Sequence, residues 1–280
     1  MQLRGGEEIT ITDREFAQLR DIMYQNTGVY LRDSKKPLVI VRLKKRLEEL
    51  GYTNFSQYIE FFNKNCASEM EFFVNAITTN ETFFYRHEKQ FEYLTEHVFP
   101  ELMKNRPSKE IVIWSAACSS GEEPYTLALI CKDYFATKPG WKYSIYASDI
   151  NSKVIAKAKE AVYGERSVSK VPLALRRRYF TESTKETFFN AKFFALDRSV
   201  VSSVTFLAHN LLKQFNRPVD IVFLRNALIY FEPKSKQTVL DAVAKTMRDE
   251  GYIFLSPAEN MHDVQVPFDA VGLSIYRKKR

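Results

Sequence analysis

Apolar residues recur at helical spacing through most of the first eighty residues. Thr12-Asp13-Arg14-Glu15 has the form of a capping box, in which a threonine and a glutamate satisfy the first free amides of a helix. On one face of that helix follow Phe16, Leu19, Ile22 and Met23. Gly28 can end the helix in the left-handed conformation. The pattern therefore predicts a helix that begins after Thr12 and ends before Gly28.

Three more helices are predicted in the same region. One covers about 37–50 and ends before Gly51, and the other two start near Asn54 and Ser68. On the first of these, the side chains expected in a core are Leu43, Leu47 and Leu50, and those expected to face outward are Arg42, Lys45 and Arg46. The sequence predicts a helical domain over 1–88, then a linker helix that ends at Pro100 and a linker, together spanning 89–108.

The chain changes after residue 108 to short apolar runs separated by helical stretches. The runs expected to form strands are 111–114, 143–147, 204–208, 221–224 and 252–255. Strands that alternate with helices predict an α/β domain over 109–280 with a doubly wound, mainly parallel sheet. Aromatic and β-branched residues without helical spacing, at about 180–203, predict a small antiparallel β-subdomain inserted into it.

Composition and charge limit the compartment and the partners. Of the 280 residues, 45% are hydrophobic and 27% are charged, which is ordinary for a globular protein with a sizeable core. The chain has no apolar run of about 18 residues and no signal-peptide pattern, so we expect a cytoplasmic protein without membrane insertion. The net charge of +7 allows an acidic partner. Three cysteines without CxxC spacing and four histidines without metal spacing predict no disulfide framework and no metal site.

The stretch WSAACSSGEEP at 114–124 joins a predicted strand to a predicted helix, where nucleotide-binding folds hold their ligand. It contains one glycine, whereas a pyrophosphate site uses several so that the backbone can approach the phosphates. Glu122 and Glu123 also place two negative charges at the start of the helix, which repels phosphate and suits an amino group. Alternatively, the two glutamates only complement the helix dipole.

A further acidic residue, Asp149, ends the next predicted strand. A carboxylate at this place can accept hydrogen bonds from both hydroxyls of a ribose. Alternatively, Asp149 is only the cap of the following helix. Together, the acidic turn and Asp149 describe a ligand in which a nucleoside is joined to an amino acid without phosphates, and S-adenosylmethionine has that chemistry.

Four stretches taken together resemble the CheR-type chemotaxis receptor methyltransferases in sequence, order and spacing. They are NETFFYR at 80–86, WSAACSSGEEP at 114–124, ASDI at 147–150 and RNALIYF at 225–231. That family transfers a methyl group from S-adenosylmethionine to glutamate side chains on the cytoplasmic helices of chemoreceptors and releases S-adenosylhomocysteine. The resemblance therefore implies a class I methyltransferase-like fold and a protein-glutamate O-methyltransferase.

The resemblance also implies which residues form the site. Glu123 would bind the amino-acid end of the cofactor, with Glu122 as the other choice, and Asp149 would bind the ribose. Tyr230 would lie close to the departing methyl group. The other positions implied in the cofactor pocket and active site are Asn80, Thr82, Arg86, Asn210, Leu211, Arg225 and Asn226.

Methyl transfer to a glutamate needs no general base, because a carboxyl group with a pKa of about 4.3 is already ionised at neutral pH. The lack of a His-Asp or Cys-His constellation fits this chemistry. We therefore expect Arg86 to orient the acceptor carboxylate and Tyr230 to add a polar contact. The alternatives are a salt bridge at a domain interface for Arg86 and a core position for Tyr230.

Two surfaces bear on the choice of partner. Arg42, Lys45 and Arg46 are expected to dock a glutamate-rich receptor helix, with a plain solvated helix surface as the alternative. Family members that tether to a receptor pentapeptide usually carry a glycine-containing loop in the β-subdomain. Residues 181–198 have no glycine, so we expect independence from the pentapeptide. The run SPAEN at 256–260 departs from the usual histidine-serine-glutamate-asparagine, so the sequence assigns no role to Glu259 or Asn260.

Two other functions stay open from the sequence alone. One is a methyltransferase of the same fold that acts on another protein or on nucleic acid. Nucleic acid is disfavoured because the basic stretch lacks interleaved aromatic residues. The other is a non-catalytic module that binds S-adenosylmethionine in signalling, which is disfavoured because Arg86, Asp149 and Tyr230 are all present. A helical bundle plus a sheet domain of this size is expected to be stable as a monomer.

Overall fold

The protein consists of two structural units, and the described part of the first contains four α-helices. The computed structural model describes residues 9–183 and 192–280. The first unit extends to Thr79 and also includes Tyr230–Glu232, and the second consists of Asn80–Ile229 and Pro233–Arg280. Contacts thus divide the chain after Thr79, while the predicted domain ranges 1–88, 89–108 and 109–280 stay predictions.

The helices of the first unit are α1 (Asp13–Thr27), α2 (Lys36–Leu50), α3 (Phe55–Lys64) and α4 (Cys66–Ile77). The capping box before α1 is confirmed, because the amide of Glu15 donates to Thr12 Oγ1 over 3.2 Å and the amide of Thr12 donates to Glu15 Oε2 over 2.8 Å. Gly28 ends α1 with a φ of 74°, in the left-handed region that suits glycine.

A segment distant in sequence completes this unit. Val29 and Phe231 form an isolated antiparallel β-bridge. Next to it, the amide of Tyr30 donates to the carbonyl oxygen of Tyr230 over 2.9 Å. The helical unit is therefore built from two separate stretches of the chain.

Two predictions about these helices are wrong in detail. α4 begins at Cys66 rather than at Ser68, because the carbonyl of Asn65 already accepts the amides of Ser68 and Glu69. Leu50 is half-buried rather than part of the core. The buried face of α2 consists of Val39, Leu43 and Leu47, which recur every four residues.

The second unit is built on a seven-stranded sheet. Its described residues form the strands β1 (Glu110–Ala116), β2 (Lys142–Asp149), β3 (Val162–Gly164), β4 (Phe180–Glu182), β5 (Phe193–Leu196), β6 (Val204–Ala208), β7 (Val219–Leu224), β8 (Met247–Phe254), β9 (Phe268–Gly272) and β10 (Ile275–Lys278). Seven of them form one sheet in the order β6-β2-β1-β7-β8-β10-β9. The first five in this order are parallel, and β10 and β9 are antiparallel to their neighbours. The predicted doubly wound, mainly parallel sheet is confirmed.

Helices alternate with these strands along the chain. They are α5 (Glu88–Tyr93), α6 (Phe99–Asn105), α7 (Glu122–Phe135), α8 (Ser152–Glu160), α9 (Glu165–Val168), α10 (Leu173–Tyr179), α11 (Arg198–Val201) and α12 (Pro233–Thr246). Buried residues of the sheet share one hydrophobic core with those of α5, α6 and α7. Across 9–183 and 192–280, no helix combines the length and the apolar character needed to cross a membrane.

The predicted linker helix is longer than expected. α5 continues through a π-helical turn at Leu94–Val98 into α6, so the helical run reaches Asn105 instead of ending at Pro100. The amide of Phe99 donates to a carbonyl five residues back, which widens the helix just ahead of Pro100, a residue with no amide hydrogen. The proline is therefore accommodated inside the run rather than ending it.

A second, antiparallel sheet has the order β3-β5-β4. β4 and β5 lie within the predicted insertion at 180–203, whereas β3 precedes it. The prediction of a small antiparallel subdomain is confirmed. Residues 184–191, which form much of the segment behind the prediction of pentapeptide independence, lie outside the described residues.

Candidate cofactor-binding site

The carboxyl ends of three parallel strands define the place where a ligand can bind. The chain passes from β1 to β2 on one side, while β7 flanks β1 on the other side. A doubly wound sheet has a crevice where the strand order reverses in this way. The turn at 114–124 and Asp149 both lie at this edge of the sheet, as the sequence predicts.

The turn after β1 takes a left-handed backbone conformation at three positions, where φ is 62° at Ala117, 50° at Ser119 and 95° at Gly121. A Cβ atom at Gly121 would come within 2.8 Å of Ala158 Cβ and 2.9 Å of the Tyr163 hydroxyl oxygen. The single glycine therefore allows the turn to pack against α8 and β3, a different role from the approach of backbone to phosphate.

Asp149 fixes the shape of this turn. Its Oδ2 accepts the amide of Ser119 over 2.8 Å, and its Oδ1 accepts the amide of Asn151 over 2.9 Å. Burial raises the pKa of the Asp149 carboxyl, although the amide hydrogen bonds oppose the rise. The cap of α8 is Asn151, whose side chain accepts the amides of Lys153 and Val154, so the alternative role of Asp149 as that cap is wrong.

Glu123 lies in a buried ion pair. Arg225 donates its Nε hydrogen to Glu123 Oε2 over 2.6 Å, and the hydroxyl of Ser115 donates to Glu123 Oε1 over 2.7 Å. Arg225 extends further and donates Nη1 to the carbonyl of Arg86 over 2.6 Å and to Gln90 Oε1 over 3.1 Å. Arg225 therefore connects the end of β7 with the start of α7 and with the segment before α5.

The buried thiol of Cys118 lies in the acidic turn and is affected by three carboxylates. Burial raises the pKa of this thiol, and Asp149, Glu123 and Glu122 raise it further. Glu122 accepts the hydroxyls of Ser120 over 2.7 Å and Ser167 over 3.0 Å, and burial raises the pKa of its carboxyl. The two glutamates of the turn are thus buried and hydrogen-bonded, and with Asp149 they place three carboxylates at the crevice against the guanidinium of Arg225, which leaves it negative. A negative crevice disfavours phosphate and favours a cationic group.

The structure places other predicted residues around this crevice. The carbonyl of Asn80 accepts the hydroxyl of Ser119 over 2.8 Å. The amide of His209 donates to the carbonyl of Asp149 over 2.9 Å, which brings the neighbouring Asn210 and the buried Leu211 to the same edge. Thr82 is half-buried within the segment that follows Asn80.

Two predicted residues have contacts of another kind. The guanidinium of Arg86 donates to the carbonyl of Glu81 over 3.0 Å and lies 5.6 Å from the ring centroid of Phe83. Tyr230 belongs to the helical unit, where its carbonyl accepts the amide of Tyr30. The catalytic roles of Arg86 and Tyr230 stay predictions.

Glu259 is a residue of this site to which the sequence assigned no role. Its buried carboxylate accepts three backbone amides, those of Asn226 over 2.8 Å, Leu228 over 2.7 Å and Ser256 over 2.8 Å. These bonds hold the loop after β7, in which Asn226 has a left-handed φ of 58°. The signal in the sequence was a glutamate four residues after the predicted strand at 252–255, within SPAEN.

The three basic residues predicted to dock a partner differ in their surroundings. Arg42 Nη1 donates to the carbonyls of Ala76 over 3.2 Å, Ile77 over 2.9 Å and Thr78 over 2.6 Å, at the end of α4. Lys45 is exposed, and its Nζ lies 3.8 Å from a carboxylate oxygen of Glu49. Of these two residues, Arg42 is therefore held by backbone carbonyls, whereas Lys45 is exposed to solvent.

Arg46, the third of these residues, binds a buried carboxylate. It donates Nε to Glu69 Oε1 over 2.9 Å and Nη2 to Glu69 Oε2 over 2.5 Å. The hydroxyl of Tyr58 donates to the same carboxylate over 3.0 Å. Arg46 therefore has a clear structural role in the helical unit, and the docking role stays a prediction.

A doubly wound sheet whose first turn carries acids instead of phosphate-binding glycines defines a nucleoside-binding domain of the class I methyltransferase type. Residues 80–277 match the model of the CheR methyltransferase, SAM binding domain, and residues 14–78 match that of the CheR methyltransferase, all-alpha domain. The chain belongs to the CheR methyltransferase family. Its cofactor is S-adenosylmethionine, as predicted.

Curated relatives agree with this assignment over nearly the whole chain. The chemotaxis protein methyltransferase of Escherichia coli strain K12 is 32% identical over 98% of this chain and 94% of that protein. The chemotaxis protein methyltransferase of Borreliella burgdorferi is 31% identical over 90% of each chain. The chemotaxis protein methyltransferase 2 of Vibrio cholerae is 32% identical over 93% of this chain and 90% of that protein. The predicted family, fold class and enzyme class are confirmed.

Proposed function

We propose that this protein methylates glutamate side chains on the cytoplasmic methylation helices of chemoreceptors, in chemotaxis adaptation. The names of the relatives, chemotaxis protein methyltransferases, support this class of acceptor. The structural observation that carries the proposal is the set of three buried carboxylates, those of Glu122, Glu123 and Asp149, at the turn after β1. A site of that charge suits a cationic nucleoside without phosphates.

When bound, S-adenosylmethionine supplies a methyl group on a sulfonium centre and leaves as S-adenosylhomocysteine. The acceptor carboxylate is ionised at neutral pH, so no residue of the chain has to remove a proton before the oxygen attacks. The chain must hold that oxygen in line with the methyl group and exclude water, so positioning supplies most of the acceleration.

Different residues at the crevice bind different parts of the cofactor. Glu123 receives the amino group, since its carboxylate retains lone pairs beyond those used by Arg225 and Ser115. Asp149 receives the ribose hydroxyls, since its carboxylate likewise retains lone pairs beyond those used by the amides of Ser119 and Asn151. The residues that line the rest of the pocket are Asn80, Thr82, Asn210, Leu211, Arg225 and Asn226.

Arg86 orients the acceptor carboxylate. Its guanidinium forms no ion pair with any carboxylate in 9–183 or 192–280, and its backbone carbonyl is bonded to Arg225 of the cofactor site. A guanidinium held in this way can form a charge-assisted hydrogen bond to an incoming carboxylate. The role of Tyr230 as a polar contact near the departing methyl group follows from the family resemblance alone.

The positively charged stretch of α2 draws the acidic receptor helix toward the enzyme. Because Arg42 and Arg46 bind groups within the helical unit, the exposed Lys45 and its neighbour Lys44 supply charge that is open to a partner. Electrostatic attraction of this kind raises the rate of encounter and weakens as salt increases. The enzyme acts as a cytoplasmic monomer and does not depend on a receptor pentapeptide.

The test is transfer of a tritiated methyl group from S-adenosylmethionine to a receptor cytoplasmic fragment. We expect label that is released as methanol by base, because a glutamate methyl ester is base-labile. Label that survives base would indicate a different acceptor, and binding of the cofactor without transfer would indicate a silent module. In the variant Arg86→Ala, turnover at saturating cofactor should fall by about 100-fold, and unchanged turnover would rule out the role of Arg86.

A further inference from the structure

Two cations lie against one half-buried aromatic ring beside the cofactor site. The Nζ atom of Lys170 is 4.7 Å from the ring centroid of Phe83, and Arg86 Cζ is 5.6 Å from the same centroid. Among the ion pairs of the described residues, none includes Lys170 or Arg86. We call Phe83, Arg86, His87 and Lys170 the Phe83 patch.

His87 follows Arg86 directly and lies within the electrostatic influence of three cations. Its backbone has a left-handed φ of 63°, and its Nε2 atom is buried and has no hydrogen-bond partner among the described residues. Burial, together with the nearby charges of Arg225, Arg86 and Lys170, lowers the pKa of the imidazole to about 4. The ring is therefore neutral at physiological pH and has a polar atom that is not satisfied.

This arrangement is unfavourable unless an anion joins it. Like charges that are held near one another repel, and a buried polar atom without a partner costs free energy. A carboxylate placed at the patch would relieve both, because it attracts the two cations and, once the imidazole rotates to expose Nε2, accepts a hydrogen bond from the Nε2–H tautomer of His87. The Phe83 patch thus has the chemistry of a carboxylate-binding site.

The reaction brings in two carboxylates, one on the acceptor glutamate and one on the amino-acid end of the cofactor. The acceptor carboxylate is the better occupant of the Phe83 patch. Lys170 is exposed, so an entering side chain can reach it from solvent. The cofactor lies instead at the buried acidic crevice, where Arg225 is already paired with Glu123. The patch is joined to that crevice through the bond from Arg225 to the carbonyl of Arg86.

We propose that Lys170 and His87 bind the side-chain carboxylate of the acceptor glutamate together with Arg86, Lys170 by charge and His87 by hydrogen-bond donation. This inference rests on the proposed function and adds to it two residues that recognise the acceptor. Lys170 and His87 act in binding and alignment, so they affect acceptor KM more than the affinity for the cofactor.

Lys170 can be tested against a matched lysine. Lys138 also lies over an aromatic ring, 5.6 Å from the centroid of Tyr134, but beyond the opposite end of α7 from the crevice. We expect Lys170→Ala to raise the KM for a receptor cytoplasmic fragment by about threefold to tenfold, with cofactor Kd within twofold of the unaltered protein. Lys170→Arg should restore a normal KM, and Lys138→Ala should leave it unchanged.

His87 can be tested with two variants that differ only in charge. Asparagine and aspartate are similar in shape, and both tolerate a left-handed backbone. We expect His87→Asp to raise acceptor KM at least tenfold above that of His87→Asn, because its carboxylate repels the acceptor. The free energy of unfolding of His87→Asp should not be lower than that of His87→Asn, since the new negative charge lies near three cations. If His87 had a purely structural role, acceptor KM would not rise in His87→Asp while the free energy of unfolding was maintained.

The results separate this inference from the proposed function. If the unaltered protein transfers base-labile methyl groups while Lys170→Ala and His87→Asp keep a normal acceptor KM, the inference is overturned and the proposed function stands. If these variants weaken cofactor binding instead, the patch binds the carboxylate of the cofactor and the inference is again overturned. If the unaltered protein transfers no methyl group, both fail.

Discussion

Arg225 donates its Nε hydrogen to Oε2 of Glu123 over 2.6 Å, and both side chains are buried at the carboxyl edge of the sheet. Removing the cation alone leaves a buried carboxylate without its partner. We expect Arg225→Met to lower the free energy of unfolding by about 3–5 kcal/mol. Urea unfolding followed by tryptophan fluorescence measures this loss.

The double variant Arg225→Met with Glu123→Gln provides the control. It removes both charges, so it should be more stable than Arg225→Met alone, because no buried charge is left without a partner. A cost below 1 kcal/mol for the single variant would contradict the buried ion pair. Cofactor affinity should fall in both variants, since each alters the acidic crevice.

Arg46 and Lys45 should respond differently to substitution although they are adjacent in α2. Arg46→Ala leaves Glu69 buried without its guanidinium partner and should cost about 3–5 kcal/mol of unfolding free energy. Lys45→Ala should change stability by less than about 0.5 kcal/mol, because its pair with Glu49 is exposed. Equal costs would show that the Glu69 pair contributes little.

This difference also decides how the docking face should be tested. A variant that includes Arg46 mixes loss of stability with loss of docking. Lys44→Ala with Lys45→Ala should raise acceptor KM at low salt, and the increase should shrink as the salt concentration rises. An effect on cofactor Kd alone would count against docking at this face.

Gly121 should tolerate no side chain, in contrast to Gly140. At Gly121, with a φ of 95°, an added Cβ would meet Ala158 and Tyr163 at less than 3.0 Å. At Gly140 φ is also positive, at 82°, but no atom lies within 4 Å. We expect Gly121→Ala to cost about 3 kcal/mol or more and Gly140→Ala about 1 kcal/mol, measured by urea unfolding. Similar costs at the two sites would mean that the turn can move away from α8.

Glu259 should matter because of its charge and its two acceptor oxygens. In Glu259→Gln an amide group faces backbone N–H donors, so at least one of the three hydrogen bonds is lost. The expected cost is about 1–3 kcal/mol, accompanied by weaker cofactor binding as the loop of Asn226 loosens. Glu96→Gln, at an exposed position, is the control and should match the unaltered protein. Unchanged cofactor Kd in Glu259→Gln would show that the loop does not contribute to binding.

His87 should make stability depend on pH in a defined direction. Its pKa is about 4 in the folded protein and 6.5 for an ordinary histidine. Between these values the unfolded chain binds more protons, so the contribution of His87 to stability is complete above pH 6.5 and is lost as pH falls toward 4. His87→Asn should therefore lose less stability than the unaltered protein between pH 7.5 and 5, as measured by urea midpoints. Parallel losses would show that His87 does not titrate in this way.

The sequence predicted those features that depend on short spacing. The capping box at Thr12 and Glu15 spans three residues, and the alternation of strands and helices placed Asp149 and the acidic turn at one edge of the sheet by topology alone. These rules are local, or they follow from the right-handed connection of parallel strands. Such predictions do not depend on which side chains from distant parts of the chain come into contact.

The features that the sequence missed are pairings between distant residues. Arg46 and Glu69 are 23 positions apart, and Glu259 binds the amide of Asn226, 33 positions away. Helical periodicity identified Arg46 as facing away from the core but could not show that it pairs with a buried carboxylate on α4. For the same reason, Glu259 was visible only as part of an altered motif.

The short backbone link between Val29 and Phe231 has a consequence for protein engineering. The two residues are about two hundred positions apart, so the N-terminal helices are not a self-contained cassette. A fragment that stops at Thr79 would leave the amide of Tyr30 without its acceptor, and a chimera would have to transplant the tripeptide at 230–232 along with the helices. Proteolysis near position 230 would in turn loosen the helices of the first unit, which precede it by about two hundred positions in the chain.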